Sequence, residues 1–290
     1  MTEKLHVAIP PESFSLAGRP VRRMGFGAMQ LPGPGVFGPP RDRAQAISVL
    51  RSAVQAGVNH IDTAQFYGPD VANELIHAAL HPYPDDLVLV SKVGARRDAE
   101  GHWLGAQRPE DLRVGVEANL ASLELEQIPV VNLRRHPESD VPFAEQMGAM
   151  ATLRDEGRIA AIGLSSVTLE EYRMAQDAME VACVQNPYNL VDRSDQDVFE
   201  ACRFDGVPYV PFFPLGSAFH AENPVLTAPA VNTVAQRLGA TPAQVALAWL
   251  LHRAPNVLLI PGTSSPEHLE ENLDAAGLAL DQEAMDALGA

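Results

Sequence analysis

Short apolar runs alternate with capped amphipathic segments from about residue 22 to about residue 280, and this alternation constrains the fold more than any other feature of the chain. The runs Arg22–Gly27, Val58–Asp62, Asp86–Lys92, Ile128–Leu133, Ile159–Leu164, Val181–Val184, Val207–Phe213 and Val257–Ile260 read as strands, Asp86–Lys92 of the type buried in a parallel sheet. Between them lie helical patterns over Arg41–Ala56 (ended by Gly57), Asp70–Leu80 and from Pro109 onward, and over Pro142–Glu156 (ended by Gly157). Further helices follow Thr168 and Glu171, which have capping-box spacing, cover Ser194–Arg203, and begin at Thr241-Pro242 and Ser265-Pro266. Parallel neighbours need crossover helices. Eight such units with no Pro/Gly/Ser linker predict one α/β domain over residues 1–290, a (β/α)8 barrel. A doubly wound dinucleotide-binding sheet is disfavoured, because no G-x-G-x-x-G follows the first strand. Residues Leu5–Gly18 are expected to form a hairpin closing the barrel floor.

Composition narrows the function. The 290 residues are 46% hydrophobic and carry a net charge of −16, enough chain to bury a large core without disulfides or structural metal. Acidic blocks such as Glu100, Glu110 and Asp111, or Glu267, Glu270 and Glu271, are read as solvated helix faces. The negative field argues against nucleic acid and anionic membrane surfaces as partners, and requires a local positive site for any anionic cofactor. Cys183 and Cys202 sit in no CxxC or Cys/His cluster, so reduced thiols and no metal centre are expected. No basic start followed by an apolar run marks a signal peptide, and no apolar stretch approaches the roughly 20 residues of a membrane span, so a cytoplasmic location is expected. The sequence fixes no oligomeric state.

Chemistry in such a barrel sits at the C-terminal ends of the strands. The second strand ends at Asp62 with Tyr67 just beyond, and the third ends at Lys92. An ammonium beside a phenol stabilises the phenolate and is expected to lower the phenol's pKa, and a carboxylate keeps the ammonium charged, so the trio makes a tuned general acid. The same Lys92 would also suit a Schiff-base aldolase.

The stretch Gly57–Gly68 resembles the Asp/Tyr signature of the aldo-keto reductases. In order, Met24–Met29, Ser91-Lys92, Gly163–Ser166, Val184–Asn189, Phe212–Gly216 and Ile260–Ser265 match further family segments, so the resemblance spans nearly the whole chain. It implies an oxidoreductase that reduces a small carbonyl with NADPH, NADH being the alternative, with Tyr67 as proton donor assisted by Lys92 and Asp62. Ser165, Ser166 and Gln185 fall where the family grips the nicotinamide amide, and Phe212 where a ring stacks on it. Gly27, Ala28, Met29, Phe213, Pro214, Leu215, Ser217 and Ile260 fall along the rest of the cofactor trough. Gly262, Thr263, Ser264 and His268 fall at the phosphate end, and Glu271 and Asn272 at the adenine. A catalytically silent, cofactor-binding regulatory protein is the non-enzymatic alternative.

Three departures stand out. The family's histidine at the end of the fourth strand is replaced by Arg134 in an ungapped alignment, with His136 as the alternative two residues on. Ser166 stands where the family has Asn, and Gly262 and His268 stand where many NADPH-using members have Lys and Arg. Met29, Phe37, Phe66 and Trp103 are expected to line an apolar mouth. The stiff segment Gln30–Pro40, with Asn132-Leu133-Arg134, resembles a bacterial branch that includes pyridoxal reductases, which implies pyridoxal as substrate.

Overall fold

The computed structural model describes residues 13–136, 138–216 and 223–289. A hairpin of β1 (Ser13–Leu16) and β2 (Arg19–Arg22) opens the chain. β3 (Phe26–Gly27), α1 (Arg43–Gln55), β4 (His60–Asp62), α2 (Val71–Leu80) and β5 (Val88–Val93) follow. A second hairpin, β6 (Ala95–Arg97) and β7 (Trp103–Gly105), precedes α3 (Pro109–Leu123). The middle of the chain supplies β8 (Ile128–Arg134), α4 (Phe143–Asp155), β9 (Ile159–Ser165), α5 (Leu169–Ala178), β10 (Val184–Gln185) and α6 (Gln196–Asp205). Helices α7 (Pro229–Leu238), α8 (Pro242–Arg253), α9 (Pro266–Asp274) and α10 (Gln282–Ala287) complete it.

Six strands form one parallel sheet in the order β10-β9-β8-β5-β4-β3. The ring closes through two extended segments that make bridges rather than ladders. Val210 N–H donates to Val184 O (2.8 Å), Leu258 N–H to Tyr209 O (3.0 Å), and Gly25 N–H to Leu259 O (2.8 Å). The expected barrel is therefore present, but the strands expected over Val207–Phe213 and Val257–Ile260 shrink to isolated bridges at Tyr209, Phe212, Val257 and Leu259. The first barrel strand is Phe26–Gly27 rather than Arg22–Gly27, because Arg22 belongs to the hairpin. The sixth begins at Val184 rather than Val181. Helix α7 and the β6–β7 hairpin were not anticipated.

Strand alternation separates two cores. Val88, Val90, Val130, Val210 and Leu258 pack inside the barrel, whereas Phe26, Ile61, Leu89, Val131 and Leu133 face the helices. Leu16 and Val21 of the first hairpin join the interior cluster and plug the floor. The hairpin foreseen over Leu5–Gly18 thus lies at residues 13–22, and the part of that expectation before residue 13 falls outside the described residues. Helix starts follow their sequence signals. Thr168 and Thr241 form reciprocal capping boxes with Glu171 and Gln244, and Ser265 accepts from the His268 N–H. Glu110 and Asp111 lie in the first turn of α3, but Glu100 lies in the β6–β7 turn rather than on a helix.

Candidate active site

The inward parity that places Val88 and Val90 in the barrel core brings Lys92 to the top of β5. In the same way Asp62 ends β4, Arg134 ends β8, Ser165 ends β9 and Gln185 ends β10. Ladder register sets Gly27 beside Asp62, Arg134 beside Ser165 and Ser165 beside Gln185. These ends line a cleft of about 790 Å³ at the C-terminal mouth, with Tyr67, Phe66, Met29 and Trp103 on its walls.

At its base Lys92 Nζ forms a short ion pair with Asp62 Oδ1 and donates to Thr63 O at 3.1 Å. The second Asp62 oxygen accepts from Gln185 Nε2 at 2.8 Å. The Lys92 ammonium lies 5.0 Å from the centre of the Tyr67 ring. Burial disfavours the Lys92 charge, but Asp62 and Tyr67 together outweigh it and hold the ammonium above its ordinary pKa. For Tyr67 burial is the largest influence and raises the phenol's pKa. Lys92 pulls it down without overcoming burial. The lowered phenol pKa expected from the sequence is thus corrected: the group is a buried, protonated phenol whose anion has a cation waiting beside it.

A polar lattice behind the cleft holds this geometry. Thr63 Oγ1 donates to Asn73 Oδ1 (2.8 Å), and Asn73 Nδ2 donates to Asn119 Oδ1 (2.9 Å). Asn119 Nδ2 reaches Lys92 O at 3.3 Å. Asn73 and Asn119 are fully buried on α2 and α3. Sequence reasoning passed over both, although an Asn inside the apolar stripe of a helix was a readable signal.

Arg134 lines the cleft and forms none of the ion pairs found among the described residues. Burial lowers its pKa, and the neighbouring Tyr67 acts in the opposite direction. Its guanidinium lies 5.9 Å from the Trp103 ring centre, while Arg97 stacks on the same ring at 4.1 Å. Phe66 meets Tyr67 and Trp103 edge-on at 5.3 and 5.7 Å. His136 does not line the cleft; its ring lies against Gly105. Phe37, expected at the mouth, instead packs against Arg97 at 5.2 Å and bridges to Gly68 outside the cleft.

A trough leads from this base toward α9. Phe212, Phe213, Pro214, Leu215, Ile260, Gly262, Thr263, Ser264 and His268 line it, joined by Gln30, Gly216, Asn223, Leu226 and Pro261. Gly27 and Gly262 let the first and last strands close at its floor. A Cβ on Gly27 would meet Ile260 O at 2.5 Å, and one on Gly262 would meet Gly27 O at 2.3 Å. Gln185 Oε1 is buried and has no hydrogen-bond partner, an acceptor suited to an amide N–H entering the cleft. Phe213 and Ser166 adopt left-handed backbone, with φ of +55° and +58°. Asn tolerates that conformation better than Ser does, so the Ser166 departure carries strain. Ser166 and Ala28 do not line the cleft; Ala28 is fully buried behind it. Glu271 and Asn272 lie one turn beyond His268 on the same face of α9. Ser217 lies outside the described residues. These residues fit a nicotinamide dinucleotide: an unfilled amide acceptor at one end, a flat aromatic wall, and hydroxyls at a helix N-terminus at the other.

Comparison with known proteins agrees with this geometry. Residues 23–290 match the model of the "Aldo/keto reductase family". The chain is 48% identical over 281 residues to pyridoxine 4-dehydrogenase of Escherichia coli (strain K12), covering 95% of this chain and 96% of that protein. It superposes on the crystal structure of a thermostable aldo-keto reductase bound to the inhibitor epalrestat with a TM-score of 0.80, at 30% identity and 95% and 98% coverage. An aldo/keto reductase from Klebsiella pneumoniae in complex with NADP and acetate gives a TM-score of 0.79 at 26% identity, with 96% and 94% coverage.

Proposed function

The chain belongs to the aldo/keto reductase family and is an NAD(P)H-dependent oxidoreductase, and from that premise we propose that it reduces the aldehyde of pyridoxal with NADPH, using Tyr67 as proton donor. The observation that carries this reading is the buried Asp62–Lys92 pair beneath Tyr67, with Gln185 bracing the carboxylate.

Gln185 Oε1, Ser165 and Phe212 would hold the amide and ring of a reduced nicotinamide, which when bound would supply the hydride for the carbonyl carbon. Tyr67 donates its phenolic proton to the carbonyl oxygen, and the Lys92 ammonium stabilises the phenolate left behind. Asp62 keeps Lys92 charged and oriented. Arg134 faces the charge that develops on the carbonyl oxygen, a role that needs a fixed cation and no titration. The aromatic rings of Phe66, Trp103 and Phe212 along the cleft favour a planar aromatic aldehyde. In the oxidative direction the same groups run in reverse, with the Tyr67 phenolate as base.

The relative named pyridoxine 4-dehydrogenase supports pyridoxal as substrate. The Klebsiella complex, together with Thr263, Ser264 and the N-terminus of α9, supports NADPH. Buried free thiols at Cys183 and Cys202 support a reducing cytoplasmic location. A Schiff-base aldolase is disfavoured because Lys92 is held protonated by Asp62, and an ammonium is no nucleophile. In an assay with purified protein, NADPH is expected to be consumed with pyridoxal, at a higher kcat/KM than with NADH. Turnover of other aldehydes with none of pyridoxal contradicts the substrate assignment, and borohydride trapping of an adduct on Lys92 contradicts the mechanism.

A further inference from the structure

At the end of the barrel away from the cleft, α2 and α3 finish side by side, and three side chains converge there that the carbonyl chemistry does not use. His77 lies in the last turn of α2 and His81 is its C-cap, four residues on, with the His81 N–H donating to His77 O at 2.9 Å. An (i, i+4) spacing puts both imidazoles on one face, and their ring centres are 4.7 Å apart. Glu124 caps α3 in left-handed backbone at φ +49°, where Gly or Asn is the ordinary residue. Its carboxylate turns toward α2, and one ligand atom from each of the three residues lies within 4.8 Å of the others.

The pair at the centre is within ion-pair range but makes no hydrogen bond. His77 Nε2 is shielded from solvent and makes no hydrogen bond, yet stands 3.3 Å from Glu124 Oε2. Two ligands each about 2.0–2.1 Å from a tetrahedral zinc are about 3.3 Å apart, so the gap matches the edge of a coordination tetrahedron. The supporting residues are also in place. Tyr83 meets the His81 ring edge-on at 5.4 Å, and its hydroxyl donates to Leu123 O at 2.7 Å, anchoring the residue before Glu124. The −16 net charge draws cations to the surface.

We propose that His77, His81 and Glu124 bind one borderline divalent cation, of the class of Zn²⁺, Co²⁺ or Ni²⁺, that clamps α2 to α3 at the barrel floor. Two imidazoles and one carboxylate select this class over Mg²⁺ and Ca²⁺, which prefer all-oxygen shells. Water completes the coordination. Sequence spacing alone does not reveal such a site, because its third ligand comes from a different helix 43 positions away from His81.

The test uses tag-free, chelator-stripped protein titrated with Co²⁺ and Zn²⁺. One Co²⁺ per chain is expected, with the visible d–d bands of a low-coordinate site, and Zn²⁺ at a hundredfold excess over its Kd is expected to raise Tm by about 5 °C. His81→Ala, an exposed position, and Glu124→Gln are each expected to weaken binding by at least about 10–100-fold and to abolish the Tm shift, with the carbonyl-reducing rate unchanged. His102→Ala, in the acidic β6–β7 turn, is expected to leave binding intact. No saturable Co²⁺ binding, binding unaltered by His81→Ala, or binding abolished by His102→Ala overturns the proposal.

Discussion

His60 sits two residues below Asp62 on β4, buried at the base of the barrel, and burial lowers its pKa from 6.5 to about 4. The folded protein therefore holds a neutral imidazole that the unfolded chain protonates first. Its contribution is complete above pH 6.5 and drains away as pH falls toward about 4, amounting to about 3 kcal/mol in all. Urea midpoints measured between pH 7.5 and pH 4.5 are expected to fall in the native protein and to fall less in a His60→Asn variant. Equal slopes contradict the assignment. At this scale the sequence disclosed which groups meet but not what the meeting does to them. Asp62 and Lys92 were legible from the strand ends that carry them and Tyr67 from the loop just beyond β4, whereas Gln185 and Arg134 were legible only through the family resemblance. The raised pKa of Tyr67 was not, because it depends on depth of burial, which no local pattern encodes. Phe37 misled for a similar reason: Arg97, far along the chain, draws it away from the cleft.

Elements were legible wherever local signals were strong. The capping boxes at Thr168 and Thr241 start their helices where the spacing says they should. The ends of the sheet were less so: residues 208–212 and 256–260 touch their neighbours through single bridges, since pairing there is set by barrel closure and not by β-propensity. The β6–β7 hairpin was hidden because its strands have three residues each, yet it carries Trp103 to the cleft. Between elements, Asn119 joins α3 to α2 and β5. It accepts from Asn73 and Ser91 and donates to Lys92 O and Gly115 O. Asn119→Leu strands those buried partners, and a loss of about 3 kcal/mol is expected in denaturant unfolding, since each unmet group costs about 1–3 kcal/mol. A loss below 1 kcal/mol contradicts a tightly bonded lattice.

Across the whole molecule the barrel separates its tasks by end. The floor is sealed by Leu16 and Val21 and flanked by the His77–His81–Glu124 cluster, while the mouth holds the buried Lys92 and the half-buried Arg134 in a chain of net charge −16. Of these two cations Lys92 is paired with Asp62, while Arg134 forms none of the ion pairs found among the described residues. On the proposed mechanism Tyr67, beside the Lys92 ammonium, is the group that delivers the proton. The direct measurement is kcat/KM for NADPH-dependent pyridoxal reduction by the native enzyme and by Tyr67→Phe, with NADPH affinity recorded in parallel. A fall of about 10²–10⁴-fold in kcat/KM with NADPH affinity unchanged is expected. Equal rates in the two proteins would contradict Tyr67 as the proton donor.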